Sequence, residues 1–232
     1  MDVLKHLIDL FLRLVDLFLH LDVHLESVLR TYGTWTYLLL FVIVFCETGL
    51  VVTPILPGDS LLFAAGALAA TIDPTTGQHI LRIELVAALL LAAAILGDAV
   101  NYAVGHYIGP RVFASTDDAG LVHKLLNRKH LAQAHAFFEK YGGKAVVLGR
   151  WVPIVRTFVP FVAGAGSMTY RTFAVYNVIG AVIWVGVCLG AGYLFGNVPI
   201  VKKNFTLVML GIVFVSVLPA AYEFLKHRRA GK

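Results

Sequence analysis

The run from Glu47 to Gly66 reads Glu-Thr-Gly-Leu-Val-Val-Thr-Pro-Ile-Leu-Pro-Gly-Asp-Ser-Leu-Leu-Phe-Ala-Ala-Gly. It is apolar enough for a bilayer, yet it holds two carboxylates, two prolines and three glycines. A plain membrane helix has no use for that mixture. Broken backbone at membrane depth is tolerated only where protein or a wet cavity satisfies the freed polar groups. Acids at that depth are costly and usually functional.

The surrounding composition supports a membrane setting. Of 232 residues, 59% are hydrophobic and 14% charged, with a mean hydropathy of +0.80. Soluble domains carry about a quarter charged residues. No Lys or Arg occurs from Thr31 to Leu81, and no charged side chain from Thr172 to Val201. These features indicate one all-α integral membrane domain over residues 31–225. A net charge of +5 does not point to nucleic acid, because the basic residues gather in loops and in the tail 226–232, where a membrane surface is the natural partner. The N-terminus lacks the basic n-region and cleavage site of a signal peptide. Cys46 and Cys188 form no disulfide framework, and no His/Cys spacing suits a metal.

Working outward, residues 1–30 place Lys5, Asp9, Arg13, Asp16, His20, His24 and Ser27 along one face, predicting an amphipathic helix in the membrane interface. Leu38–Cys46 is too short to span, since a span needs about 20 residues. It leads through Glu47 into the Pro54, Pro57, Gly58, Asp59 break, after which Ser60–Ala70 is apolar again. Two half-helices around a Pro/Gly corner describe a re-entrant hairpin; one long kinked span is the rival reading. Ile83–Ile108 is a full span carrying Asp98, Asn101 and Tyr102. Residues 110–144 are polar, with a short surface helix over Leu131–Tyr141. Ala145–Met168 repeats the oddity, broken around Gly149–Arg156 with Pro153 as a corner and again at Pro160. Phe173–Phe195 and Phe205–Phe224 are further spans.

The two odd segments look like copies. Tyr32-Gly33 precedes one and Tyr141-Gly142 the other, and each closes on Ala-Gly before a spanning helix. Internal repeats of this kind are a feature of transporters. Lys and Arg in 110–144 place that loop in the cytoplasm. Two hairpins returning to their own sides then form an inverted pair meeting near mid-membrane, with a cytoplasmic C-terminus.

Hairpin one supplies the acids Glu47 and Asp59; hairpin two supplies Arg150 and Arg156. Each charge costs roughly 2.5–3.5 kcal/mol at a helix centre, so four left unpaired would cancel a typical stability of about 5–15 kcal/mol. They must be paired or hydrated. One reading is a structural ion-pair staple. The other is a site in which Arg150 and Arg156 bind an anionic head group, Arg being a permanently charged fork suited to phosphate, while Glu47 and Asp59 take up and release protons. Twice-broken backbone favours the second. Asp98 either supports this site or is a satisfied packing group. No His is placed to activate Ser60, which argues against a hydrolase.

These residues resemble the DedA family, also called the SNARE-associated or VTT-domain family, over roughly residues 30–200. The resemblance rests on Phe45-Cys46-Glu47-Thr48-Gly49, Pro57-Gly58-Asp59-Ser60, Gly97-Asp98 with Tyr102 and Gly105, Gly149-Arg150-Trp151-Val152-Pro153 with Arg156, Ala163-Gly164 with Met168, and Asn177 with Gly180 and Trp184. It implies two opposed re-entrant hairpins and translocation of a lipid such as undecaprenyl phosphate or a phospholipid. It also implies a bacterial inner-membrane location and functional weight on Glu47, Asp59, Arg150 and Arg156, with Asp98, Tyr102 and Asn177 in support. His106 departs from the family, where a basic residue often follows the glycine. The expectation is therefore a non-enzymatic, proton-coupled flippase for an anionic lipid, needing no cofactor beyond protons, with homo-oligomerisation open. A small-cation or drug antiporter and a phospholipid scramblase are the alternatives.

Overall fold

The computed structural model describes residues 33–50, 58–73, 76–114, 128–166, 168–212 and 214. Among them the fold is all-helical, apart from one isolated β-bridge between Ile72 and His79. The elements are α1 (Trp35–Gly49), α2 (Gly58–Ala70), α3 (Ile83–Ala114), α4 (Arg128–Tyr141), α5 (Lys144–Gly149), α6 (Pro153–Ala165), α7 (Tyr170–Phe195) and α8 (Pro199–Lys203); residues 205–212 are also helical. The amphipathic helix expected over 1–30, Pro54, Pro57 and the tail 226–232 lie outside the described residues.

Among the described residues, two helices are long and apolar enough to cross a membrane, Ile83–Gly109 within α3 and Tyr170–Phe195. The outward face of α7 carries Val175, Ile179, Val182, Ile183 and Val187, all exposed, as suits a surface solvated by lipid tails. By contrast, α1 has 15 residues and α2 and α6 have 13 each, short of the about 20 that a span requires. The starts of α1 and α5 share a device. Gly33 and Gly142 both take positive φ, 53° and 56°, a conformation that glycine adopts without steric cost.

Helix ends follow local chemistry. Pro153 occupies the first turn of α6, where its missing N–H is no loss. Pro160, expected at a second corner, instead lies inside α6, which runs on to Ala165. An interior proline removes one hydrogen bond and costs about 3 kcal/mol. Here the surrounding Phe158, Val159, Phe161, Val162 and Ala163 are all buried, and at roughly 1.5–3 kcal/mol per large apolar side chain their packing outweighs that loss. The surface helix α4 begins three residues before the expected Leu131, and α7 begins at Tyr170 rather than Phe173.

Each short helix packs on a long one: α2 lies chiefly against α7, and α6 against α3. The two crossings use one pattern. Phe63-Ala64-Ala65-Gly66-Ala67 faces Gly192 and Gly196, and Phe161-Val162-Ala163-Gly164-Ala165 faces Gly105 and Gly109. A Cβ at Gly192 would overlap the Phe63 carbonyl, and one at Gly105 the Phe161 carbonyl. Small residues let membrane helices approach backbone to backbone. Gly105→Ala is therefore expected to destabilise by about 1–3 kcal/mol through overpacking, whereas Gly186→Ala, with nothing within 4 Å of its Cβ position, should be silent. Thermal unfolding of both variants in detergent checks the contrast.

Candidate functional site

The charged side chains converge where α1 ends, α2 begins and the α5–α6 junction turns. Glu47 sits near the end of α1, and one carboxylate oxygen, Oε1, accepts the Gly58 N–H at 3.0 Å. That N–H is one of the orphan donors at the start of α2. A Cβ at Gly58 would fall on the Glu47 carboxylate, so a larger residue would have to displace that side chain. The same oxygen accepts Arg156 Nη2. Arg156 Nη1 donates to Asp59 Oδ1 at 3.1 Å, so one guanidinium on α6 holds acids from both α1 and α2. Trp184, in the middle of α7, donates its indole N–H to the same Asp59 oxygen at 2.7 Å.

Arg150 forms a second layer. Its Nη2 donates to Asp98 Oδ2 at 2.5 Å and to Asn177 Oδ1 at 2.7 Å. Asn177 in turn donates to the Ile95 carbonyl at 3.0 Å. Arg150 thus joins the α5–α6 junction to both long helices, and Gly180 on α7 leaves room for its stem. Both layers meet on Trp184, whose ring lies 5.0 Å from the Arg156 guanidinium carbon and 5.7 Å from that of Arg150. Such cation–π contacts are worth from about 0.5 to 2 kcal/mol, most when desolvated.

Burial separates the layers. The Arg150 and Asp98 side chains are each 5% exposed, whereas Arg156 reaches 10% and Asp59 17%. Glu47 is buried, and its other oxygen, Oε2, has no hydrogen-bond partner among the described residues. Three carboxylates therefore face two guanidiniums, an excess of one negative charge when all are ionised.

The remaining expected site residues are placed as follows. Asp98 and Asn177 join the site, both as partners of Arg150. Tyr102 does not: its hydroxyl donates to the Met168 carbonyl at 2.6 Å and its ring stacks on Phe173. His106 is exposed, with Nδ1 3.3 Å from the Gly164 carbonyl. Asn101 spans between the broken helices, donating to the carbonyls of Thr48 on α1 (3.2 Å) and Thr157 on α6 (2.7 Å).

The VTT domain family matches residues 56–194, a stretch that includes Asp59, Asp98, Arg150, Arg156 and Trp184. The chain belongs to this family, also known as the DedA family. It is 50% identical to Protein DedA of Escherichia coli K12 over 222 residues, covering 96% of this chain and 97% of that one. It is 43% identical to an uncharacterized membrane protein of Mycobacterium tuberculosis over 192 residues, covering 82% and 79%. Against the inner membrane protein YghB of E. coli K12 the identity is 33% over 200 residues, covering 86% and 81%. No solved structure matches the chain. Two residues of this DedA-family site were not expected to carry weight, Trp184 and Asn101. The signal for Trp184 was present: membrane tryptophans concentrate at the interfaces, and this one lies mid-span.

Proposed function

We propose that the protein is a proton-coupled transporter of an anionic lipid in the bacterial inner membrane, with undecaprenyl phosphate as the favoured cargo, and that it is not an enzyme. The observation that carries this reading is the Arg156 guanidinium, held by Glu47 and Asp59 where two broken helices meet. Carboxylates occupy the donors that a phosphate would use. Protonation of an acid weakens its hold on Arg156, and an arriving phosphate takes its place on the planar fork. Return of the proton to solution restores the ion pair and expels the head group. Arg150 stands behind this exchange, adding positive field while remaining bound to Asp98 and Asn177.

In this reading α1–α2 and α5–α6 are two opposed re-entrant hairpins of an inverted repeat. The shared glycine crossings on α7 and α3 and the positive-φ Gly33 and Gly142 support it. Both hairpins reach mid-membrane from opposite faces, the chain is multi-pass, and its basic tail is cytoplasmic. The relative named as an inner membrane protein supports the location. The partners are membrane lipids.

The excess acid favours a second reading, proton-coupled antiport of a small cation, with the arginines as counter-ions. Transport of labelled polyprenyl phosphate in reconstituted vesicles, against labelled phosphatidylethanolamine and with or without a pH gradient, tests both. Gradient-dependent movement of the phosphate lipid is expected. Gradient-driven uptake of a cationic dye with no lipid movement would replace the first reading by the second.

A further inference from the structure

The two acids on Arg156 are not equivalent, and the difference traces to α7. Asp59 Oδ1 receives two donors, the Arg156 Nη1 and the Trp184 indole N–H. Trp184 is itself 1% exposed, so its ring is fixed by packing and its N–H has one direction. Glu47 has a single engaged oxygen, which takes both the Gly58 N–H and Arg156. Its Oε2 is buried without a partner among the described residues. A buried anionic oxygen with no donor is costly, and a proton removes that cost. A proton on Asp59 would gain nothing comparable, because its engaged oxygen already has two donors.

We propose that Trp184 is a positioning residue that pins Asp59 as the permanent counter-ion of Arg156 and thereby directs the exchangeable proton to Oε2 of Glu47. The charged and titratable groups facing this pair are Arg156 from α6, Arg150 at the α5–α6 junction, Asp98 from α3 and Cys188 from α7. Asp98 is committed to Arg150, which leaves Glu47 as the acid with a buried oxygen that has no partner among the described residues. The inference rests on the proposed transport only for its purpose; where the proton sits is independent of which cargo moves.

Infrared difference spectra of the purified full chain, acidified against neutral, read the carboxylic C=O band without any transport. In the native protein one high-frequency band of a buried carboxylic acid is expected, set apart from the broad band of the exposed acids, lost in Glu47→Gln and retained in Asp59→Asn. Trp184→Phe keeps the ring face over both guanidiniums and removes the N–H donor. It is expected to add a second carboxylic band, which disappears when Asp59→Asn is combined with it. Trp184→His, which keeps a ring N–H, should restore the native single band. A native band lost in Asp59→Asn overturns the proposal, as does a Trp184→Phe spectrum identical to the native one. Failure of both Trp184 variants to fold would also overturn it, leaving Trp184 a packing residue. Native spectra as expected, together with no lipid movement in vesicles, would sink the transport reading and leave the proton assignment standing.

Discussion

Arg150→Met is expected to destabilise the protein by about 3–5 kcal/mol, the usual cost of removing one partner of a buried ion pair. The variant strands Asp98 on α3, whose side chain is 5% exposed, and also takes from Asn177 Oδ1 its Arg150 donor. Replacing both charges, Arg150→Met with Asp98→Leu, should recover most of that loss, because an apolar pair needs no desolvation offset. Denaturant unfolding in detergent of the two single variants and the double variant gives the coupling. Recovery identifies Arg150–Asp98 as a staple between the α5–α6 junction and the long helices. Additive losses would show that Arg150 contributes through other contacts.

Arg156→Lys should behave differently, sparing the fold and losing function. Lysine keeps the charge but offers no planar fork, so it cannot engage Glu47 and Asp59 in the present geometry or receive a phosphate bidentately. One charge-assisted hydrogen bond is worth about 1.5–3 kcal/mol, which corresponds to roughly a tenfold to hundredfold drop in vesicle transport at 1.36 kcal/mol per decade. Unfolding midpoints close to native, measured alongside, separate this from a stability defect. Transport at the native rate by Arg156→Lys would overturn fork-type recognition of phosphate.

The contrast between the two arginines could not be read from the chain. Both looked like head-group ligands, since each lies in a broken apolar segment beside a proline. In space, Arg150 is turned towards Asp98 and Asn177 while Arg156 alone meets the acids of α1 and α2. Asp98 had two open readings, support or packing, and its role depends on the arginine it faces. Pro160 misled for a related reason. Its local cost is visible in the sequence, but the burial of the neighbouring side chains is not.

Residue order alone settles that this is a membrane protein of the DedA family with two interrupted apolar segments, acids in the first and arginines in the second. Hydropathy, helix-breaking residues and short motifs are local properties, so a window of about 20 residues contains them. Which acid meets which arginine is a different matter, because the partners lie from 52 to 109 positions apart. Only the packing of α2 on α7 and of α6 on α3, through glycines that let backbones touch, brings them within hydrogen-bonding reach. The same packing puts the Trp184 ring within cation–π distance of both guanidiniums. Glu47 begins as one odd residue in an apolar run; the fold leaves it with one oxygen engaged and the other buried without a donor among the described residues.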